Sequence, residues 1–279
     1  MAVRPQSSSS RRQLALAMRS HKKRTAGHYF VTFFLILGLL SSVFSQISIK
    51  DKRQLVNSCI DGNNHKREPG PEDSLHQQCS PWKNNSCCTG NTTVHAHGGK
   101  MYGFNYNHCP NKKMSNKCLE HFVQDLCFYE CSPNVGPWVQ IVSSMKMRRE
   151  RFLGVPLCAT DCDDWFKACK DDFTCTDNWT LNFEWINGTN RCRPESECRT
   201  FSEIFQNSSN FCERVWDHSW KYTDNSEPCM RIWFDGSQGN PNENVARWKI
   251  QQSNSAVSYK VSSVQLLLCI FPALLLSVN

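Results

Sequence analysis

The cysteines constrain this chain more than any other residue type. The sequence has 17, of which all but Cys269 lie between Cys59 and Cys229 without a long gap. In an exported chain these sixteen predict a framework of up to eight disulfides, whereas in a cytosolic chain the same spacing would suggest zinc. The choice therefore depends on whether the chain is exported.

The amino-terminal segment is typical of a secretory signal. Seven Lys or Arg and no acidic residue precede an apolar run from Phe30 to Phe44, and small residues at Val43 and Ser45 suit cleavage before Gln46. The run is shorter than the roughly 20 residues that span a bilayer. We expect residues 1–45 to be a signal peptide, with an uncleaved type II anchor as the alternative.

The charge of the chain does not indicate nucleic-acid binding. The sequence has 32 basic and 25 acidic residues, and the seven basic residues of the leader account for the whole excess. Nucleic-acid binding needs basic density on the folded domain itself. We therefore expect no nucleic-acid partner.

The carboxyl-terminal segment is typical of a glycosylphosphatidylinositol (GPI) attachment signal. Small residues from Ser253 to Ala256, a polar spacer and an apolar run from Val264 to Val278 follow one another. Such a tail is exchanged for a glycolipid that anchors the protein to the outer face of the cell membrane. The expected attachment residue is Asn254 or Ser253, and residues 251–279 would be a stalk and a discarded tail. A short transmembrane anchor is the alternative.

Five Asn-x-Ser/Thr sequons indicate the same secretory compartment, because such sites are glycosylated in exported chains. They are Asn84, Asn91, Asn178, Asn187 and Asn207. Together with the cysteines they favour disulfides over zinc. No internal repeat or linker divides residues 46–250, so we expect a single domain there.

Local patterns predict helices and one strand around several chemically interesting residues. Lys117 to Tyr129 has an apolar stripe at helical spacing, which leaves Asp125 and Tyr129 one turn apart on a shared face. Tyr102 to Tyr106 alternates aromatic and small or polar residues, as a strand would.

Two further helices are predicted in the second half of the domain. One runs from Asp161 to Lys170 with Thr160 as its cap. The other follows Asn210 and would place Trp216 and Ser219 on one face.

Four stretches of the sequence closely resemble the folate receptor family. They are PGPEDSLHQQCSPWKNNSCC from Pro69, HFVQDLCFYECSPNVGPWVQ from His121, RFLGVPLC from Arg151 and WFDGSQGNPNENVAR from Trp233. The resemblance covers roughly residues 59–247 and includes a counterpart for every cysteine there. It implies an α+β fold, a single compact disulfide-rich domain with several helices and short strands.

The resemblance also implies how the cysteines pair. The pairs would be Cys59–Cys87, Cys79–Cys127, Cys88–Cys131, Cys109–Cys198, Cys118–Cys169, Cys158–Cys229, Cys162–Cys212 and Cys175–Cys192. Each native bridge of this kind contributes on the order of 2 to 5 kcal/mol to stability.

By the same resemblance, the chain would bind a folate through an aromatic slot for the pterin ring. Asp125 matches the carboxylate that grips the amino edge of the pterin, and Tyr129 and Trp216 match the rings between which it stacks. Arg148 and Arg151 match the donors to its carbonyl side. The other ligand-binding positions would be Ser219 near the amino group, Tyr102 and Phe104 in the walls, and Trp185 toward the mouth.

This assignment suits the chemistry of a pterin, which has N–H donors on one edge and acceptors on the other. A carboxylate can accept from the donors, and guanidinium groups can donate to the acceptors. Its flat faces favour stacking and apolar burial. From the residues alone, a structural ion pair or a solvated charge is the alternative for Asp125 and both arginines.

The chain departs from the family pattern toward the mouth of the slot. A His-Lys-Gly-Trp run of the family reads Thr180 to Phe183 here, so Leu181 replaces the Lys that would face the glutamate of a folate. Met147 and Tyr106 each replace a Trp, and Trp185 is retained. The resemblance therefore supports the pterin end of the ligand better than its glutamate tail.

Two functions follow from the resemblance. The first is a cell-surface receptor that binds folic acid and reduced folates and delivers them into the cell by endocytosis. The alternative is an egg-surface adhesion receptor for a sperm protein, like the family member Juno. The presence of Asp125, Arg148 and Ser219 favours the folate receptor.

An enzyme is not expected, because the sequence has no Ser-His-Asp elbow, HExxH motif or phosphate loop. Folate would be a ligand and not a cofactor. His95, His97 and His108 lack an acidic or thiolate partner at ligand spacing, so we interpret them as exposed loop histidines and expect no metal.

Overall fold

Short helices alternate with two-stranded sheets along the chain. The computed structural model describes residues 54–99, 101–142, 149–253 and 255. The helices there are α1 (Gly90–His97), α2 (Asn116–Cys131), α3 (Ala159–Cys169), α4 (Phe201–Phe205), α5 (Ser208–Val215) and α6 (242–253). The strands are β1 (Val139–Ile141), β2 (Glu150–Phe152), β3 (Val155–Cys158), β4 (Phe173–Thr174), β5 (Glu184–Ile186), β6 (Thr189–Arg191), β7 (Arg199–Thr200) and β8 (Trp220–Thr223).

Three of the four sheets are antiparallel, and the fourth joins distant parts of the chain. β1 pairs with β2, β4 with β7 and β5 with β6, whereas β3 and β8 are parallel with Val155 opposite Trp220. A parallel pair needs a long crossover, and α3 and α5 lie within it. This pairing brings the start of β8 beside β3.

Some of the predicted features lie outside the described residues. These are the signal peptide 1–45, Met147, Arg148, Asn254 and the apolar tail from Val264 to Val278. The part of α6 that the structure describes runs to Ser253, three residues beyond the predicted domain end at residue 250. No helix in the described part of the chain is long and apolar enough to cross a bilayer.

Eight disulfides connect the helices and loops. They join the same eight pairs that the family resemblance implies. Six of the bridges link cysteines at least 43 residues apart, so each closes a long loop and removes conformational freedom from the unfolded chain. The expected α+β, disulfide-rich single domain is confirmed.

The core is largely aromatic. Trp82, Trp165, Trp179 and Trp220 are almost completely buried, and the ring of Phe122 stacks on Trp179 with centroids 4.6 Å apart. Aromatic side chains bury much apolar area per residue and cost little side-chain entropy. This suits a domain with a modest content of Leu, Ile and Val.

The helix predicted from Lys117 to Tyr129 is confirmed as α2. Its first turn is capped by Ser115, whose side chain accepts a hydrogen bond from the backbone N–H of Cys118 at 3.2 Å. The apolar stripe, including Phe122 and Val123, faces the core. Asp125 and Tyr129 lie one turn apart on another part of the helix surface, and both face a cavity.

The helix predicted after Asn210 is shorter and begins earlier than expected. Asn207 caps α5 by accepting from the backbone N–H of Asn210, and the helix ends at Val215. Asp217 and His218 follow with φ of 51° and 59°, which stops the helix. Trp216 and Ser219 are therefore the two ends of a tight turn, and their placement on one helix face was wrong.

Two other local predictions were wrong. Tyr102 does not begin a strand, because Met101–Gly103 form a 3-10 turn in which Tyr102 has φ of 57°. Thr160 does not cap α3, which is preceded by Cys158 and has no side-chain cap. In both places tertiary contacts override the local pattern.

His108 is not an exposed loop histidine as predicted. It is buried, its Nε2 lies 3.0 Å from the Thr174 hydroxyl, and burial lowers its pKa to about 4. His95 is exposed and His97 half-buried, and both are on α1 rather than in a loop. His108 therefore stays neutral at physiological pH and acts as a core residue.

Candidate ligand-binding pocket

A cavity of about 110 Å³ lies between α2 and the turn that joins α5 to β8. The residues around it come from five separate segments of the chain. They are Tyr102, Asp125, Leu126, Tyr129, Phe152, Thr180, Trp216, Ser219 and Trp220. Most of the lining is aromatic, with one carboxylate and two aliphatic hydroxyls, which is the composition expected of a small-molecule site.

Asp125 supplies the only charge of this lining. It lies one turn before Tyr129 on α2 and is 6% exposed. The indole N–H of Trp220 donates to its Oδ1 at 2.8 Å, and the indole N–H of Trp216 lies near the same carboxylate without hydrogen-bond geometry. The Trp220 N–H therefore holds the carboxylate in position, and the Trp216 ring lies beside it.

The buried position of Asp125 changes its acidity. Burial raises the pKa of this carboxyl to about 7, and the N–H groups of Trp220 and Trp216 offset only part of that rise. Without a ligand, the group is near half protonation at neutral pH. Donors on a ligand would favour the ionised form, so ligand binding and deprotonation of Asp125 should be coupled.

Tyr102 and Tyr129 form one aromatic wall. The left-handed turn at Tyr102 directs its hydroxyl to Glu130, which accepts the hydrogen bond. His65 packs edge-on against Tyr129, with ring centroids 5.5 Å apart, and its Nε2 lies 3.0 Å from the Tyr129 carbonyl oxygen. These neighbours fix the orientation of both tyrosines.

Trp216 forms a wall of the cavity and rests on a second aromatic layer. Its ring contacts Trp179 and Phe104 with centroids 5.5 Å and 5.8 Å apart, and Phe104 in turn stacks on Trp179 at 5.4 Å. Phe104 therefore supports Trp216 from behind and does not line the cavity.

Arg151 lies behind the pocket wall. Its side chain is buried; Nη1 donates to Asp217 Oδ2 at 2.7 Å, and Nη2 donates to the Trp216 carbonyl at 2.9 Å and to Ser219 Oγ at 3.1 Å. Through these contacts the guanidinium holds the turn between α5 and β8 in place. Arg151 does not line the cavity.

The predicted ligand-binding residues thus divide into groups. Five of them surround one cavity, namely Asp125, Tyr129, Trp216, Ser219 and Tyr102. Phe104 and Arg151 lie behind it, Trp185 is 43% exposed on β5, and Arg148 is outside the described residues. Their roles toward a ligand stay predictions.

Four lining residues were absent from the predicted set: Leu126, Phe152, Thr180 and Trp220. Leu126 could have been found from its position next to Asp125 on α2. Trp220 had no such signal, because its approach depends on the parallel pairing of β8 with β3. Its bond to Asp125 spans 95 positions of the sequence.

The segment predicted at the mouth is mixed in its exposure. Leu181 is 55% exposed, but Phe183 is buried against His108 and Phe104, with ring centroids 4.7 Å and 5.9 Å apart. Tyr106, the replacement for a family Trp, also packs in this inner layer, 5.0 Å from Phe104. Only Thr180 of the run lines the cavity.

Comparisons with known proteins agree with this arrangement. The folate receptor family matches residues 58–231. The chain is 43% identical to folate receptor alpha of Bos taurus over 233 residues, which cover 81% of this chain and 95% of the relative. It is 42% identical to folate receptor gamma of Homo sapiens over 228 residues (79% and 92%), and 33% identical to riboflavin-binding protein of Gallus gallus over 178 residues (62% and 71%). The family is one of receptors rather than enzymes, and this chain belongs to the folate receptor family.

Proposed function

We propose that the protein is a cell-surface receptor that binds folic acid and reduced folates in the cavity beside Asp125 and carries them into the cell by endocytosis. The observation that carries the proposal is a buried carboxylate between aromatic walls in a chain of this family. A buried carboxylate whose acceptor sites are only partly filled is costly, so its position in the lining of a cavity favours a ligand with matching donors.

The pterin ring has the donors that this carboxylate needs. Trp220 occupies one lone-pair site of Asp125, and a carboxylate has about four such sites. The ring would lie between Tyr129 and Trp216, with Ser219 near its amino group. Stacking and apolar burial would then add to the charge-assisted hydrogen bonds.

The carbonyl edge of the pterin requires cationic donors. We assign this role to Arg148, with Arg151 as the second donor. The described contacts of Arg151 to Asp217 and Trp216 support the holding role directly.

The cell-surface location is supported by the disulfides, which form in oxidising compartments. We infer a cleaved signal peptide, glycans on exposed sequons and a GPI anchor at Asn254 or Ser253. Phosphatidylinositol-specific phospholipase C should therefore release the protein from intact cells. Retention after treatment would favour a membrane span.

Equilibrium binding tests the ligand directly. Radiolabelled folic acid should bind the protein on the surface of expressing cells, and unlabelled folic acid or a reduced folate should displace it. Riboflavin is the control competitor, because riboflavin-binding proteins are among the relatives.

Each outcome of this experiment has a clear meaning. Displacement by riboflavin and not by folates would assign the pocket to a flavin. Absence of binding by either vitamin would contradict the proposal and favour the adhesion receptor for a sperm protein.

A further inference from the structure

The five sequons differ in how the fold uses their asparagines. Four of them are exposed, and in the described part of the chain their side-chain amide nitrogens make no hydrogen bond: Asn84, Asn91, Asn187 and Asn207. Asn178 is half-buried, and its Nδ2 donates to Asp217 Oδ1 at 3.0 Å. This nitrogen is the atom to which an N-linked glycan attaches.

The side-chain oxygen of Asn178 is also hydrogen-bonded. Its Oδ1 accepts from the backbone N–H groups of Thr180 at 3.1 Å and Leu181 at 3.0 Å. One side chain therefore fixes the local turn that presents Thr180 to the cavity and connects this turn to Asp217.

Asp217 joins Asn178 to Arg151. One carboxylate oxygen accepts from Asn178 and the other from Arg151 Nη1 at 2.7 Å. Burial alone would raise the pKa of Asp217, but the contacts with Arg151 and Asn178 outweigh it, so the pKa lies below its ordinary value. The carboxylate stays ionised, and the connection stays intact, in mildly acidic compartments.

The turn that contains Asp217 needs such support. Asp217 and His218 both have left-handed φ angles, although neither is glycine, and such conformations persist where surrounding contacts impose them. Arg151 Nη2 donates to the carbonyl oxygens of Trp216 and Asp217 and to Ser219 Oγ. The two residues at the ends of this turn, Trp216 and Ser219, are cavity walls.

We propose that Arg151, Asp217 and Asn178 form a polar tie that positions three pocket walls, Thr180, Trp216 and Ser219, and that Asn178 consequently stays unglycosylated. The sequon alone predicts the opposite for Asn178. A glycan would replace one of the two hydrogens of Asn178 Nδ2 and place a sugar directly beside the half-buried contact with Asp217, which the fold uses to position the pocket walls.

Site occupancy tests the proposal on the unaltered protein. The full chain is produced in animal cells, and glycans are removed enzymatically in ¹⁸O-water, which converts each formerly glycosylated Asn into labelled Asp. We expect label at exposed sequons such as Asn187 and an unlabelled Asn178. Full labelling of Asn178 would overturn the proposal. This result does not depend on which ligand the pocket binds.

Two matched substitutions test the positioning role. Asn178→Asp keeps the acceptor for Thr180 and Leu181 but places a second carboxylate against Asp217. It should weaken folic acid binding roughly three- to tenfold, mainly through faster dissociation. Asn187→Asp makes the same chemical change at an exposed left-handed position and should leave affinity unchanged. Equal affinities for the two variants would contradict the tie.

A charge swap separates positioning from general damage to the fold. In Asn178→Asp combined with Asp217→Asn, the new amide at position 217 can donate back to the new carboxylate at position 178. This double variant should dissociate folic acid more slowly than Asn178→Asp alone. If the loss of affinity in the double variant equals the sum of the losses in Asn178→Asp and Asp217→Asn measured separately, the two residues act independently and the proposal is overturned.

Discussion

The floor and the mouth of the pocket are built in different ways. At the floor, Asp125 is buried and held by Trp220, and each aromatic wall rests on further rings. At the predicted mouth, Leu181 and Trp185 are 55% and 43% exposed, and neither lines the cavity. We therefore expect affinity and orientation to come from the floor, with the mouth adding contact area alone.

Removal of the floor carboxylate should have the largest effect. Asp125→Ala would delete the proposed charged partner of the pterin donors, and such a loss typically costs on the order of 2 to 5 kcal/mol, or roughly thirty-fold to several thousand-fold in affinity. Equilibrium binding of folic acid measures it. A loss below threefold would remove Asp125 from the site.

Loss of an aromatic side chain should weaken folic acid binding much more at the floor than at the mouth. Trp216→Ala removes a wall that lines the cavity and should weaken folic acid binding roughly ten- to a hundredfold. Trp185→Ala at the exposed end is the matched substitution and should cost less than about threefold. Equal losses would show that the ligand extends across the mouth.

Acidification should weaken folic acid binding, because Asp125 at the floor becomes protonated. The free pKa of Asp125 is about 7, and a bound ligand should lower it, so the protein must lose a proton to bind below neutral pH. Affinity for folic acid should fall roughly tenfold between pH 7.4 and pH 5.5. Asp125→Asn cannot titrate, so its remaining affinity should not vary in this range.

The glutamate tail should matter least. Folic acid and pteroic acid, which lacks the glutamate, should bind within about tenfold of each other, because an exposed ion pair at a rim contributes roughly 0 to 1 kcal/mol and Leu181 supplies none. Titration of both compounds on one preparation gives the ratio. A hundredfold preference for folic acid would place a strong glutamate contact at the mouth, for example from Asn182 or Trp185.

The sequence was most informative where local periodicity decides the structure. The spacing of α2 was sufficient to predict that Asp125 and Tyr129 share a face, and the resemblance implied the disulfide pairs that the fold contains. The turn at Asp217 and the bond from Trp220 to Asp125 could not be predicted, because left-handed non-glycine residues and a parallel strand pair have no clear local signal.

The most direct test of the account measures stability and binding on one variant, Asp125→Asn. The folded pKa of Asp125 lies above its unfolded value, so its favourable contribution is present at low pH and is lost as the pH rises through about 7. At pH 7.4 the buried charge therefore destabilises the ligand-free protein.

Asp125→Asn keeps the acceptor for Trp220 and removes the charge. Denaturant unfolding of the ligand-free, disulfide-intact protein at pH 7.4 should show a gain on the order of 2 kcal/mol, while folic acid binding falls at least thirtyfold. The gain in stability should shrink as the pH approaches 4. A variant that is less stable and still binds folic acid with unchanged affinity would show that Asp125 is a structural residue and that the ligand binds elsewhere.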